Sequence, residues 1–390
     1  MCGQMLIAYV AMYRLAAVLS MFCFRLDLFA VNARERPFHA VNYLKYYDVK
    51  NSVDHAKYLL SRNNLTADDL SKRLAVMLLY SSDVSDPLYG PCLKCSLQRY
   101  KDNLLPNNPS DIFLFVKPEH FQNIMERPWV RSTPNLYVMI LAEESDKSWK
   151  IPEWIRPERD DTKYHWSAGF SLEYRLMGHW RLAFSFPFAR ELGYKYLMQS
   201  DTDTYILEKI QYNLIDFMTE KDIWVSNYNW IQYEVRGYNM GLPEIAHYWM
   251  ATRGGMEGLY VTADNASTAG KGFIKGPLFK HCRPADIHGL HTCSEYVCHG
   301  EKWLGWDGEM FSGHYQIFKL DHWFSWEIQD FLQLVLQTGG HIEHRWVDIS
   351  TQAMIRQMFT PDKNIHIFLD HNIGHGHGSE TCNECKDWLS

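Results

Sequence analysis

The sequence predicts an α/β protein with a mostly parallel central sheet covered by helices on both faces. Three short apolar runs carry this prediction, because continuous apolar runs are typical of strands buried on both faces: residues 74–79, 111–116 and 136–141. Segments long enough to form helices alternate with such runs, as in parallel sheets. The chain has 390 residues, of which 46% are hydrophobic and 22% charged. This composition supports one large domain with insertions and excludes global disorder.

The later part of the chain continues the alternation of strands and helices. A helix is expected over residues 120–125 and another over residues 166–184, and a fourth apolar run at residues 196–198 leads into acidic residues. After a Gly-, His- and Cys-containing insertion at about residues 236–308, the predicted elements are a regular segment at 315–320, helices at 323–336 and 349–358, and a last strand at 365–369.

The charge balance of the chain is slightly acidic. It contains 39 Lys and Arg against 46 Asp and Glu, a formal charge of −7. A general nucleic-acid binder needs a basic surface to neutralise phosphates. The sequence therefore argues against nucleic acid as a partner.

The first 33 residues have the pattern of a targeting segment. Two apolar runs are separated by Arg14, and the second of them resembles the apolar region of a signal peptide or a short signal-anchor. Val31-Asn32-Ala33 offers a small-residue cleavage site, and a buried amphipathic helix is the alternative. We expect residues 34–70 to form a stem or peripheral helices and residues 71–390 to form the main domain. Entry into the secretory pathway is the favoured interpretation.

The cysteines agree with this interpretation. In a secreted chain, disulfides are favoured over a four-cysteine zinc centre for the two C-x-x-C pairs. We expect the three cysteines of the insertion and at least one C-x-x-C pair to be oxidised. The cysteines concerned are Cys92, Cys95, Cys282, Cys293, Cys298, Cys382 and Cys385.

The most informative local pattern is a D-x-D sequence directly after the fourth apolar run. Asp201 and Asp203 are separated by one residue at a predicted strand end, where ligands bind in parallel α/β sheets. Two such carboxylates can converge on Mg²⁺ or Mn²⁺, which prefer oxygen ligands and keep positions open for a diphosphate. The alternative is a solvated turn.

Two further groups could join this chemistry. The tail contains His371, His375 and His377, and an imidazole from one of them could complete a metal site begun by the D-x-D sequence. The alternative is a flexible polar tail. Asp348 stands at the start of a predicted helix, where it is either a site carboxylate or a capping acid. The motifs of α/β-hydrolases, zincins, P-loop proteins and dinucleotide-binding dehydrogenases are missing from the sequence.

Several blocks of the chain resemble the motifs of one known enzyme family and occur in that family's order. Residues 151–155 (IPEWI) match a P-E-W-I segment and residues 174–177 (YRLM) a Y-R-x-M segment. Asp201-Thr202-Asp203 stands where the family has Glu-Pro-Asp. Residues 339–348 (GGHIEHRWVD) resemble G-G-F-F-Y-E-R-W-G-D, and residues 365–377 resemble I-H-Y-F-x-D-I-G-Y-x-H with two residues inserted after Asp370. The family that these blocks resemble is glycosyltransferase family 15, the fungal α-1,2-mannosyltransferases.

The resemblance implies a GT-A fold and a metal-dependent, retaining transfer of mannose or another hexose. The donor would be a nucleotide-diphosphate sugar, GDP-mannose in this family, and the acceptor a glycan or glycoprotein hydroxyl. The resemblance also implies a type II membrane protein of the Golgi, attached through the N-terminal segment, or a secreted one if that segment is cleaved. Donation from a UDP-sugar is one alternative, and an inactive glycan-binding relative is another.

Site residues carry over from the family position by position. The resemblance implies that Mn²⁺, or Mg²⁺, is bound by Asp201, Asp203 and His377. It places Tyr80 and Arg175 with the two aspartates at the nucleotide, and Tyr80 stands where the family has an arginine. The residues implied in acceptor binding and catalysis are Tyr174, Asp348 and Gln316. Gln316 occupies the place of the glutamate proposed as nucleophile. An amide is a far poorer nucleophile, so we expect the leaving phosphate to act as the base and Gln316 to orient the sugar or to support its positive charge. The alternatives are that Gln316 is an ordinary strand residue and that Asp348 replaces the missing carboxylate.

Overall fold

A computed structural model describes residues 48–376, apart from 83–84, 86–88, 156–170, 229–230, 234–238, 240, 244, 247–248, 250–308, 344–345 and 347. Of the sequence predictions, the N-terminal targeting segment, most of the insertion, His377 and all cysteines except Cys92 and Cys95 lie outside the described residues. Within the described part of the chain, no helix combines the length and the apolar character that a membrane span needs.

The centre of the described structure is a seven-stranded sheet. Its strands are β1 (Leu74–Tyr80), β2 (Ser110–Val116), β3 (Leu136–Ile140), β4 (Tyr196–Ser200), β6 (Val225–Tyr228), β9 (Tyr315–Lys319) and β10 (Ile365–Phe368). They lie side by side in the order β10-β6-β9-β4-β1-β2-β3. Neighbouring strands are parallel, except that β9 pairs antiparallel with both β4 and β6. The predicted mostly parallel sheet is confirmed.

Helices flank this sheet as the sequence predicts. They are α1 (Lys50–Ser61), α2 (Ala67–Ser71), α3 (Tyr89–Arg99), α4 (Pro118–Met125), α5 (Pro128–Arg131), α6 (Leu172–Ala183), α7 (Ser185–Leu192), α8 (Leu214–Glu220), α9 (Leu320–Trp323), α10 (Trp326–Thr338), α11 (Gly340–Glu343) and α12 (Asp348–Phe359). A π-helical turn, Tyr100–Leu104, follows α3, and a 3-10 turn, Asp362–Asn364, precedes β10.

The strand β2 shows why the apolar runs are continuous. Ile112 and Leu114 belong to a buried apolar cluster on one face of the sheet. Phe113 and Phe115 point to the other face, where both contact Phe188 of α7 edge-to-face. Because helices cover both faces, every residue of β2 is buried.

Two short strand pairs accompany the main sheet. β5 (Thr204–Ile206) pairs antiparallel with β11 (Ile373–His375), and β7 (Ile231–Tyr233) pairs antiparallel with β8 (Glu309–Phe311). The β5–β11 pair joins the residues after β4 to the C-terminal tail. This pairing positions the candidate site.

The segment before the sheet is helical. Helix α1 packs against β3 and α7, and buries Val53, Ala56 and Leu60. Its buried Ser52 hydrogen-bonds to Asp146 through both its backbone nitrogen, at 2.9 Å, and its hydroxyl. The described part of the predicted stem, residues 48–70, therefore consists of helices, of which α1 packs directly on the sheet domain. Where the domain boundary lies stays a prediction.

Two of the described histidines are buried and neutral in the folded protein, and we expect them to lower its free energy of unfolding in acid. Burial lowers the pKa of His341 to about 3 and the pKa of His322 to about 4. The pKa of a histidine in the unfolded chain is about 6.5, so below that pH the unfolded chain binds more protons than the folded one. We expect the free energy of unfolding to fall between about pH 6.5 and pH 4, by on the order of 3 kcal/mol for each histidine.

Urea denaturation at several pH values measures this loss. The His341→Phe variant keeps a ring against the stacked His179, whose ring centroid lies 4.3 Å away, and it should show a shallower decline. The same change at the exposed His55 is the control and should leave the decline of unfolding free energy with pH unchanged. An equally steep decline in wild type and His341→Phe would contradict the prediction.

Candidate metal and nucleotide site

The site begins where the central strand β4 ends. Asp201 follows Ser200, the last residue of β4, and a tight turn in which the Thr204 nitrogen donates to the Asp201 carbonyl at 3.2 Å carries the chain into β5. The side chains of Asp201 and Asp203 are 28% and 19% exposed. Two partly accessible carboxylates therefore stand at the carboxyl end of a central strand, where ligands bind in such sheets.

The C-terminal tail brings a histidine to these acids. In the β5–β11 pair His375 lies opposite Thr204, and the Gly376 nitrogen donates to the Asp203 carbonyl at 2.9 Å. The Nε2 atom of His375 lies 3.5 Å from Asp201 Oδ2 and 3.4 Å from Asp203 Oδ1. A histidine of the C-terminal tail thus lies next to both acids of the D-x-D sequence. The one that does so among the described residues is His375.

A second histidine, His314, enters the site from the residues before β9. Because β9 pairs antiparallel with β4 and Tyr315 lies opposite Ser200, His314 is carried next to Asp201. Its ring stacks on the ring of His375, with centroids 3.9 Å apart and planes 4° apart. Asp201, His314 and His375 each offer a ligand atom, and these atoms lie within 4.8 Å of one another. Asp203 flanks this cluster through His375.

Arg181 of α6 supports the acids from inside the protein. Its guanidinium forms an ion pair with Asp201 on one side and lies 3.2 Å from Asp348 Oδ2 on the other. It also donates to the carbonyls of Ser200, at 3.3 Å, and Gly313, at 3.2 Å. Arg181 is only 4% exposed, so these acceptors satisfy a buried cation.

The charges of the site stabilise one another. Burial alone would raise the pKa of Asp201, but Arg181 and then His375 outweigh it and hold that pKa well below its usual range. Burial opposes the charge of His375 in the same way, yet its hydrogen bonds to Asp201 and Asp203 raise the pKa of His375 to about 9. At neutral pH the imidazolium therefore lies between the two carboxylates. It occupies the position in which a cation neutralises both acids.

Asp348 is buried at the start of α12 and is 3% exposed. Burial and then the charge of Asp201 raise its pKa, against the opposing effect of Arg181. A glycine makes this arrangement possible, because a Cβ atom at Gly313 would lie 2.4 Å from Ile349 Cγ2 and 3.4 Å from Arg181 Nη1. Asp348 is thus connected to the D-x-D sequence through Arg181.

Gln316 lies in a chain of three buried glutamines. Its Nε2 donates to Gln352 Oε1 at 3.2 Å, and Gln352 Nε2 donates to Gln199 Oε1 at 2.7 Å. Gln199 in turn donates to the Arg181 carbonyl at 2.7 Å. The side chain of Gln316 therefore joins β9 to α12 and α6, and its catalytic role stays a prediction.

The other predicted residues lie on neighbouring elements. Tyr80 ends β1 and is buried, and Tyr174 is half-buried in the first turn of α6. Arg175 is buried and donates from Nη1 to the Ile342 carbonyl at 3.0 Å, which ties α6 to α11. Their assignment to the nucleotide and the acceptor stays a prediction.

Cys92 and Cys95 of α3 are disulfide-bonded. Both are buried and form one cluster with Tyr205 of β5. The Ser96 hydroxyl of the same helix donates to the Thr204 carbonyl at 2.8 Å. The oxidised helix therefore packs on the strand that follows the D-x-D sequence, and the expectation of an oxidised C-x-x-C pair agrees with the structure at this pair.

The donor set fits a divalent cation. Carboxylate oxygens and imidazole nitrogens converge from β4, β9 and β11 and form a cluster open to solvent on its aspartate side. Mn²⁺ accepts both kinds of ligand and leaves positions for phosphate oxygens. Sequence reasoning missed Arg181 and His314. Two features of the sequence could have indicated them: an arginine inside the apolar run 180–189, and a histidine directly before an apolar strand.

No protein-family model matches the chain, and no curated protein sequence matches it. Solved structures share its fold. Core-mannan synthase A from Aspergillus fumigatus, in its Mn/GDP form, is similar with a TM-score of 0.61 at 15% identity, over 80% of this chain and 76% of that one. The mannosyltransferase Ktr4p from S. cerevisiae in complex with GDP gives a TM-score of 0.59 at 15% identity, over 85% and 84%. A second structure of Ktr4p gives 0.59 at 16% identity, over 90% and 85%.

These similarities cover most of both chains, so they concern the whole domain rather than a shared motif. The solved structures are fungal mannosyltransferases, the group that the sequence blocks resemble, at 15–16% identity to this chain. The predicted fold is confirmed: the chain adopts the GT-A-type fold of these enzymes.

Proposed function

We propose that the protein is a metal-dependent, retaining glycosyltransferase. It transfers mannose, or another hexose, from a nucleotide-diphosphate sugar to a glycan hydroxyl, with GDP-mannose as the favoured donor. The observation that carries this proposal is the convergence of Asp201, Asp203 and His375 at the carboxyl end of the central strand. The similar solved structures carry Mn and GDP in one case and GDP in another, which supports the choice of metal and nucleotide.

The residues of the site would have separate roles in binding the cation. Asp201 and His375 would hold the cation, His375 after releasing its ring proton to solvent, because only a neutral imidazole can be a ligand. When bound, the cation would neutralise charge on the diphosphate leaving group. Asp203 would complete the negative surface that attracts it. Arg181 fixes Asp201 through Oδ1, so that Oδ2 faces His375. The protein thereby presents one carboxylate oxygen in a defined direction.

Retention of configuration follows from front-face chemistry in this proposal. The bond from the anomeric carbon to the phosphate oxygen breaks, and the acceptor oxygen forms its bond to the same face of that carbon. The acceptor proton passes to the departing phosphate oxygen. Gln316 and Asp348 act on the positive charge that develops on the sugar, Gln316 as a dipole. The engaged amide of Gln316 suits a positioning role better than nucleophilic attack.

A second candidate is a catalytically inactive glycan-binding relative. The observation in its favour is that an amide, fully buried, occupies the place of the family's glutamate. The assembled acidic cluster speaks for the enzyme, because a glycan-binding module needs no site for a metal and a diphosphate.

A panel of GDP- and UDP-sugars with Mn²⁺ tests the proposal. We expect turnover of one donor, GDP-mannose first, to stop when EDTA is added. Comparing Gln316→Ala, Gln316→Glu and Asp348→Asn on that donor then assigns the catalytic groups. Metal-independent turnover would contradict the proposal, and glycan binding without turnover of any donor would favour the inactive relative.

We further propose that the protein works in the lumen of the secretory pathway, in the Golgi. Disulfide-bonded Cys92 and Cys95 support an oxidising compartment, since disulfides are rare in the cytosol. Thiol titration of the denatured, unreduced protein tests this. More than seven free thiols among the nine cysteines of the chain would contradict the Cys92–Cys95 disulfide and, with it, the support for the compartment.

A further inference from the structure

His314 is placed in the site by sheet register rather than by the D-x-D sequence or the tail. The hydroxyls of Ser200 and Thr204 both donate to its carbonyl oxygen, at 2.8 and 3.0 Å. These two residues flank the D-x-D turn. The backbone of His314 is therefore fixed to the same turn that presents Asp201.

The ring of His314 is fixed as well. It is 4% exposed, and its Nδ1 and Nε2 hydrogen-bond to the hydroxyls of Ser312 and Tyr228. Metal-binding histidines use one ring nitrogen as the ligand, while the other keeps a hydrogen bond that sets the orientation of the ring. Both hydroxyl partners are neutral. A cation can therefore replace either hydroxyl at its ring nitrogen, and the displaced hydroxyl is not an unpaired charge in the interior.

Resting on the proposed function, we propose that His314 is a third protein ligand of the cation, together with Asp201 and His375. The ligand atoms of these three residues already lie within 4.8 Å of one another. Two imidazoles and one carboxylate suit Mn²⁺ and the later transition metals. Mg²⁺ prefers oxygen ligands and gains least from imidazole. His314 thus gives the site a preference for Mn²⁺ over Mg²⁺.

The competing explanation is structural. The stack of His314 on His375, with centroids 3.9 Å apart, could serve only to pack β11 against β9. The two explanations differ in metal selectivity. A packing residue would change the affinities for Mn²⁺ and Mg²⁺ by the same factor, whereas a nitrogen ligand affects Mn²⁺ more.

The experiment is a Mn²⁺ titration of the full chain followed by electron paramagnetic resonance, with Mg²⁺ as competitor. The variants are His314→Gln and His314→Asn, which place an amide near the Nε2 and Nδ1 positions respectively. We expect Mn²⁺ affinity to fall 10- to 100-fold, about the size of other losses of ligand support at metal sites, and the preference over Mg²⁺ to narrow. His322→Gln, a change at a buried histidine bonded to Thr360, is the matched control and should bind Mn²⁺ like wild type.

The outcomes separate this inference from the proposed function. Wild-type Mn²⁺ affinity retained in both folded His314 variants, or Mn²⁺ and Mg²⁺ weakened by equal factors, would overturn the role of His314 alone. Failure of wild type to bind Mn²⁺ would overturn the metal site and the proposed function with it. Thermal melting of each variant establishes that it is folded before it is titrated.

Discussion

Replacing Asp203 with asparagine should reduce donor turnover at least about 100-fold and leave the fold intact. Its carboxylate is partly exposed and faces His375 at 3.4 Å, so its loss removes charge from the metal site without leaving a buried group unpaired. We expect the free energy of unfolding to change by only about 1 kcal/mol, the typical contribution of one hydrogen bond, because His375 keeps Asp201 as its second partner. Initial rates with Mn²⁺ and the preferred donor, together with urea denaturation, measure both quantities.

The neighbouring acid provides the contrast. Asp201→Asn should lose turnover to the same degree but should also destabilise the protein, because it removes a partner of the buried Arg181. Asp216→Asn, at an exposed position in α8, is the matched control and should change neither donor turnover nor the free energy of unfolding. Full activity of Asp203→Asn would remove Asp203 from the site.

Replacing Arg181 with glutamine should destabilise the protein by about 3–5 kcal/mol. The change leaves Asp348, which is 3% exposed, without its cation at 3.2 Å, and it removes the partner of Asp201 Oδ1. An uncompensated buried carboxylate is among the most costly defects in a folded protein. Chemical denaturation of wild type and variant measures the loss.

A double mutant separates charge from packing. Adding Asp348→Asn to Arg181→Gln removes the unpaired buried charge, so the double variant should be more stable than Arg181→Gln alone. If the losses of unfolding free energy in Arg181→Gln and Asp348→Asn simply add in the double variant, the broken ion pair is not the reason for the destabilisation. Lys117→Gln, which removes a cation paired with the exposed Glu173, should cost much less.

The sheet could be predicted because its strands are buried on both faces. In β1 to β3, side chains of both orientations pack on helices or aliphatic clusters, so the apolar runs are uninterrupted and their ends are easily recognised. The antiparallel position of β9 between β4 and β6 could not be predicted. It depends on strand order, which local periodicity does not report.

The site could be predicted only in its local part. Asp201 and Asp203 follow a recognisable strand, and Asp348 starts a recognisable helix. Which tail histidine reaches the acids depends on the register of β11 on β5, and that register places His375 opposite Thr204. Family alignment indicates His377, which lies outside the described residues, so that assignment stays a prediction.

The contributions of Arg181 and His314 are also long-range. Arg181 meets Asp348 across 167 residues, and Ser200 meets the His314 carbonyl across 114. A charged residue inside an apolar run is a signal that a partner must neutralise its charge, but the sequence does not identify that partner. The insertion at residues 236–308 lies largely outside the described residues, so its relation to the site is still a sequence prediction.

We propose that the cluster of Asp201, Asp203 and His375 binds a divalent cation and a nucleoside diphosphate together. Isothermal titration of GDP into the full chain, first with Mn²⁺ and then with EDTA, measures this coupling. We expect GDP to bind at least about 100-fold more tightly with Mn²⁺ than in EDTA, a difference of about 3 kcal/mol, and we expect Asp201→Asn to abolish this difference. Equal GDP affinity in Mn²⁺ and EDTA, or no GDP binding in either, would contradict it.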